Sequence, residues 1–151
     1  MKKYTALILI LALALTTAAA AWMHLSTRED VAAGTLQMTV FGRTHTVNLS
    51  DLDCAPVSGV RINGKGESIP VEGSGIPLKN LLTAEQIASS SKVTVIAGDS
   101  YNAVLTAEEL NADGKAYLLL QEDGPRLIVF GDENSKRSIT NVVQIIVESL
   151  G

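Results

Sequence analysis

Gly75-Ile76-Pro77-Leu78-Lys79-Asn80-Leu81-Leu82, then Val93-Thr94-Val95-Ile96-Ala97-Gly98-Asp99-Ser100-Tyr101, then Leu105-Thr106-Ala107-Glu108-Glu109-Leu110 form the stretch whose reading decides the fold. Proline is tolerated in a first helical turn, where its missing N–H would have lacked a partner anyway, so Pro77 predicts a short helix burying Leu78, Leu81 and Leu82. The β-branched run Val93 to Ala97 predicts a buried strand ending in a tight turn at Gly98-Asp99, with a second strand beyond it. Thr106 with Glu109 has capping-box spacing, in which the hydroxyl and the carboxylate each satisfy a free N–H, and the same device recurs at Thr83 and Gln86. Helices this short cover a sheet and cannot build a bundle.

Upstream, Leu36-Gln37-Met38-Thr39-Val40 and Thr44-His45-Thr46-Val47-Asn48-Leu49 alternate apolar and polar residues around Gly42-Arg43, which predicts a β-hairpin. Val57 to Ile62 and Glu67 to Val71 are two more strands, joined by Asn63-Gly64-Lys65-Gly66. Downstream, Ala116 to Gln121 and Arg126 to Phe130 flank the turn Glu122-Asp123-Gly124-Pro125, and Ile139 to Val147 is apolar enough for a central strand. The sum is an α+β domain, mostly β, with about eight strands and two or three short helices.

The chain has 151 residues, enough for one core once the N-terminus is set aside. Met1-Lys2-Lys3 precedes about 18 uncharged residues ending in Ala18-Ala19-Ala20-Ala21-Trp22, so residues 1–22 read as a hydrophobic helix that is either a cleaved signal peptide or a membrane anchor. The basic end stays inside, which places the rest outside the cytoplasm, tethered to the membrane or secreted. Residues 23–34 form a mixed-charge spacer and residues 35–151 the domain. A formal charge of −4, more negative still without Lys2 and Lys3, argues against nucleic acid as a partner. Cys54 stands alone, so no internal disulfide is available.

The order of these motifs resembles the sulfite-oxidase-like molybdopterin-binding domain in a short stand-alone form. That family's pattern is a Gly-hydrophobic-Pro-Leu-x-x-Leu-Leu element, a strand ending near Asp-Gly-Tyr, and a Leu-Thr-x-Glu-Glu-Leu helix. Arg126-Leu127-Ile128-Val129 and Arg137-Ser138-Ile139-Thr140-Asn141-Val142-Val143-Gln144-Ile145 resemble its last two strands, and the resemblance covers roughly Thr35 to Glu148. It implies a domain related to molybdopterin-dependent oxidoreductases, which hold molybdenum through one cysteine thiolate and two pterin sulfurs.

Cys54 is the one residue able to act as that metal ligand, yet it lies about one strand early: the family's cysteine position falls at Asn63. The long cationic loops that cradle the pterin phosphate in the family are missing here, which leaves Arg43, His45, Arg61, Lys65, Arg126 and Arg137 as scattered strand or loop charges. The resemblance nominates Asn63, Asp99, Tyr101 and Arg126 as residues of the former cofactor groove. Asp99 is expected to close an Asx turn, with the Tyr101 ring buried beside it. Ser100 replaces the family's glycine, at a cost of about 1 kcal/mol if the turn keeps a positive φ. Gly64-Lys65-Gly66 lacks phosphate-loop spacing, and Asp132-Glu133-Asn134-Ser135 is too short for a calcium loop and reads as a solvated turn.

Two functions remain on this reading. One is an extracytoplasmic module without the metal cofactor that binds a small ligand or an envelope protein. The alternative is a minimal molybdopterin-dependent oxidoreductase of the cell envelope, with Cys54 or an external sulfur as ligand and Tyr101 or Arg126 near the substrate.

Overall fold

The computed structural model describes residues 34–151. The leader at 1–22 and the spacer, apart from Gly34, lie outside the described residues, so neither a cleaved signal nor an anchor is addressed by it. Among the described residues no helix is long and apolar enough to cross a membrane.

Nine strands form: β1 Thr35–Val40, β2 Arg43–Asn48, β3 Ala55–Ile62, β4 Ser68–Pro77, β5 Ser90–Ala97, β6 Asn102–Leu105, β7 Ala116–Gln121, β8 Gly124–Val129 and β9 Val142–Ser149. The helices are two single-turn pieces, α1 Ala84–Ala88 and α2 Ala107–Asn111, with 3-10 turns at Leu49–Asp51 and Leu78–Leu81. The fold is therefore α+β and mostly β. Nine strands among the described residues agree with the count of about eight, and the strand expected beyond the Gly98-Asp99 turn is β6, paired with β5.

One sheet has the order β2-β1-β9-β5-β6 and the other β3-β4-β7-β8. The pairing of β1 with β9 is parallel and the remaining pairs are antiparallel. Period-2 alternation turns Leu36, Met38 and Val40 inward from β1 and Val93 and Val95 from β5, where they meet Ile76, Leu118 and Leu127 of the other sheet. Leu78, Ile87 and Leu110 close this core from the 3-10 turn and the two helices. Full burial of each such side chain contributes about 1.5–3 kcal/mol.

A second, smaller cluster of Val57, Val71, Leu119 and Ile128 lies on the outer face of the four-stranded sheet, with Tyr117 and Phe130 against it. Strands β3 and β8 stand at opposite ends of the sheet order, yet a Cβ on Gly59 would come within 2.6 Å of the Phe130 ring. The β3–β4 hairpin therefore bends back over β7 and β8, and Gly59 is what lets its backbone rest on the phenylalanine.

The segment Gly73 to Pro77 departs from the expected helix start. It extends β4, with Gly75, Ile76 and Pro77 opposite Leu119, Leu118 and Tyr117. Pro77 cannot donate to the ladder and ends the strand, so only the turn Leu78–Leu81 remains of the helix. A Cβ on Gly75 would meet the Leu118 carbonyl oxygen at 2.9 Å, a backbone approach that requires glycine. Gly75→Ala is accordingly expected to lower stability by about 1–3 kcal/mol in urea unfolding, through overpacking. In a helix the same change would be stabilising by about 0.5–1 kcal/mol.

Candidate functional site

The segment from Gly131 to Asn141 carries the chain from the edge of one sheet to the centre of the other, and its position rests on Arg137. Two donors of Arg137 reach Asp132 (Nε to Oδ2 2.8 Å, Nη2 to Oδ1 2.5 Å). Two more reach Glu109 (Nη1 to Oε2 2.8 Å, Nη2 to Oε1 2.7 Å), and Nη1 also donates to the Val104 carbonyl at 3.2 Å. All five guanidinium donors are thereby used. Glu109 simultaneously accepts from the Thr106 N–H in the capping box of α2, at 3.1 Å. Arg137 holds the Glu109 carboxyl below its ordinary value of 4.5 against the opposing effect of burial, and the two carboxylates raise Arg137 in turn. Asp132 is thus part of an ion-pair cluster, where the sequence suggested a solvated turn, and Arg137 is fully engaged.

Beyond Arg137 the segment presents Ser138, buried Ile139 and Thr140. The Leu127 N–H donates to the Ile139 carbonyl at 2.9 Å and the Gly98 N–H to the Asn141 carbonyl at 2.9 Å, tying the segment to β8 and to the end of β5. A cavity of about 310 Å³ opens here, lined by Asp99, Tyr101, Ser135, Lys136, Ser138 and Thr140 among others.

Asp99 closes the expected Asx turn, accepting from the Tyr101 N–H at 3.0 Å. The Tyr101 side chain departs from expectation: it is 49% exposed and lies at the rim of this cavity instead of in the core. Ser100 adopts φ 71°, so the turn keeps the left-handed conformation although the glycine is replaced.

Asn63 follows β3 and serves its own loop: its Oδ1 accepts from the Lys65 and Glu67 N–H groups, each at 2.9 Å, and its Nδ2 donates to Glu67 at 2.8 Å. The loop nonetheless comes close to the segment above, since a Cβ on Gly64 would lie 3.9 Å from Ser135 Oγ. Arg126, half-buried on the outer face of β8, reaches Ser138 Oγ with Nη2 at 3.4 Å. Its Nε is the buried side-chain polar atom left without a partner among the described residues. Burial lowers the Arg126 pKa, and the neighbouring Arg61 guanidinium lowers it further, opposed by Asp123.

The structure thus brings the Asn63 loop, the Asp99-Tyr101 turn and Arg126 around Ser135–Thr140, and it does not bring Cys54 there. Cys54 is exposed just before β3, so the eight residues of that strand, about 25 Å of extended chain, separate it from Asn63. His45 and Arg43 are exposed on β2 beside a different hollow, with Phe41 and Gln86. Sequence reasoning gave no role to Ser138, whose hydroxyl meets Arg126. It also missed a larger hollow of about 550 Å³ bordered by Leu49, Leu120, Pro125 and Val143. Among the described residues no group of three or more His, Cys, Asp or Glu is placed to hold a metal ion.

Comparison with protein-family models and with curated proteins returns no match.

Replacing Ser100 by glycine relieves a left-handed strain of about 1–2 kcal/mol while adding unfolded-chain entropy worth about 0.5–1 kcal/mol. A net gain of roughly 0.5–1 kcal/mol in urea unfolding is expected. Glu109→Gln should lower stability at neutral pH by about 1–3 kcal/mol. Because the folded pKa of Glu109 is depressed, this contribution is complete above about pH 4.5 and is lost as pH falls through the folded value. Urea curves of the two proteins should therefore converge below pH 4.5.

Proposed function

We propose that this chain is a membrane-tethered or secreted extracytoplasmic binding module. It uses a scaffold resembling the sulfite-oxidase-like molybdopterin-binding domain and takes a small ligand in the groove at Ser135–Thr140. The motifs that carry the resemblance fall at structurally meaningful points, namely the end of β4, the Asx turn after β5 and the capping box of α2. Those placements support the scaffold reading.

One observation carries the choice between binding module and enzyme. A molybdenum–dithiolene needs a thiolate and cationic donors on one site. Here Cys54 lies just before β3, at the opposite end of that strand from Asn63, the residue at the family's cysteine position, whose amide closes its own loop. The donor set does not fit the cofactor, and no chemical step is assigned through it.

Protein produced in a host that makes molybdopterin, purified under mild conditions, is expected to carry molybdenum and pterin far below stoichiometry by elemental and fluorescence analysis. One equivalent of each would overturn this reading and restore the oxidoreductase alternative.

A further inference from the structure

The edge of the five-stranded sheet carries a second site, separate from the groove at Ser135–Thr140. Strand β2 pairs with β1 so that Val47 stands opposite Leu36, His45 opposite Met38 and Arg43 opposite Val40. Residues directly opposite in an antiparallel pair share a face of the sheet, and Leu36, Met38 and Val40 belong to the core. Arg43 and His45 are therefore turned to the core side, as is Val47, which packs against the core. Yet both are exposed, so among the described residues the core stops short of them. A hollow of about 430 Å³ lies there, lined by Val40, Phe41, Arg43, His45 and Gln86. Its size suits a small molecule.

The lining holds donors and no carboxylate. Arg43 takes part in none of the salt bridges among the described residues. Gln86 uses its Oε1 to accept from the Thr83 N–H at 2.8 Å in the capping box of α1, which fixes the amide and leaves Nε2 to donate elsewhere. In a chain with 16 acidic and 12 basic residues, a hollow whose ionisable groups are all basic favours an anion. Inward charges also guard an edge strand against pairing with another chain. That protection does not account for Phe41. Phe41 and Gly42 turn the hairpin with φ 50° and 79°, a combination ordinarily met by Asn-Gly or Gly-Gly. The ring stays 40% exposed on the wall of the hollow, so a place in the core does not explain the strained backbone. Strain of this kind concentrates at ligand sites.

We propose that this hollow binds a small organic anion, whose carboxylate or phosphate group meets Arg43, His45 and the Gln86 amide and whose apolar body lies against the Phe41 ring and Val40. The guanidinium fork of Arg43 offers two N–H groups to two oxygens. His45 donates through a ring N–H, and Gln86 Nε2 adds a donor whose position the capping box sets. A cation of the same shape would meet a guanidinium with no counter-charge beside it.

The test is calorimetric titration of the full chain, at ionic strength held constant with chloride, against ligands that share a phenyl body: phenylacetate, phenyl phosphate, phenylacetamide and 2-phenylethylammonium. Saturable binding of phenylacetate or phenyl phosphate is expected, the tighter of the two naming the headgroup. It should exceed binding of the neutral amide by about tenfold or more, and the ammonium should not bind. Arg43→Gln should weaken anion binding about tenfold or more, and Arg43→Lys should weaken it less. Phe41→Asn, a residue suited to the turn, should remove the advantage of phenylacetate over acetate. Lys65→Gln, on the β3–β4 loop outside the hollow, should leave binding unchanged. Thermal unfolding of each variant verifies folding, and Arg43→Lys carries the test if Arg43→Gln does not fold. Absence of saturable binding by both phenyl anions, equal binding of the amide, or affinity indifferent to the Arg43 substitutions would overturn the site. The hollow and the groove at Ser135–Thr140 share no lining residue, so failure here is distinguishable from failure of the binding-module reading.

Discussion

The last strand holds the molecule together. Strand β9 lies between β1, its parallel neighbour, and β5, its antiparallel one, so the β1–β2 hairpin joins the five-stranded sheet only through the C-terminal strand. The first and final strands of the domain are thus hydrogen-bonded neighbours, a pairing of high sequence separation whose loop-closure entropy must be met before the core is complete. The side chains that meet across the sheets, Met38, Val95, Leu118 and Ile145, come together only once that pairing exists. The same requirement creates the groove. For β8 to hand the chain to β9, the segment Gly131 to Asn141 must leave one sheet at its edge and enter the other at its centre.

Two arginines near that crossing have opposite roles because of what the packing places beside them. Arg137 finds Asp132 on its own segment and Glu109 at the start of α2, and its planar fork matches both carboxylates. It spends four donors on them and the fifth on the Val104 carbonyl, so the crossing segment, the capping box of α2 and the edge of β6 share one charged hub. Arg126 faces the outer layer, where Nη2 reaches the Ser138 hydroxyl and Nε is buried without a partner. The first arrangement contributes stability and rigidity; the second leaves a polar group unsatisfied at a cost.

Much of this architecture was legible residue by residue. The hairpins at Gly42 and Gly124, the capping boxes at Thr83 and Thr106 and the Asx turn at Asp99 follow from groups separated by four residues or fewer, where local hydrogen bonding decides the conformation. The elements that escaped are those in which a distant partner overrides a local preference. Pro77 favours a helical start, but the backbone of β7 captures Gly75 to Pro77 as strand. Tyr101 favours burial, but it lies at the rim of a cavity. Asp132 has the composition of a solvated loop until Arg137 folds over it.

Sequence alone determined the class of the domain, the caps and most strand positions, because alternation and capping are properties of neighbouring residues, whereas Asn63, Asp99, Tyr101 and Arg126 were nominated by resemblance and not by any local pattern. Only the tertiary structure decided which of those candidates share a groove. It set Cys54 apart at the other end of β3, turned the amide of Asn63 onto its own loop, and brought Gly59 onto the Phe130 ring across 70 intervening positions. The physical reason is the bend of the β3–β4 hairpin over the outer face of the sheet, which depends on a glycine meeting a phenylalanine ring. A contact between residues so far apart in the chain leaves no periodic trace in it.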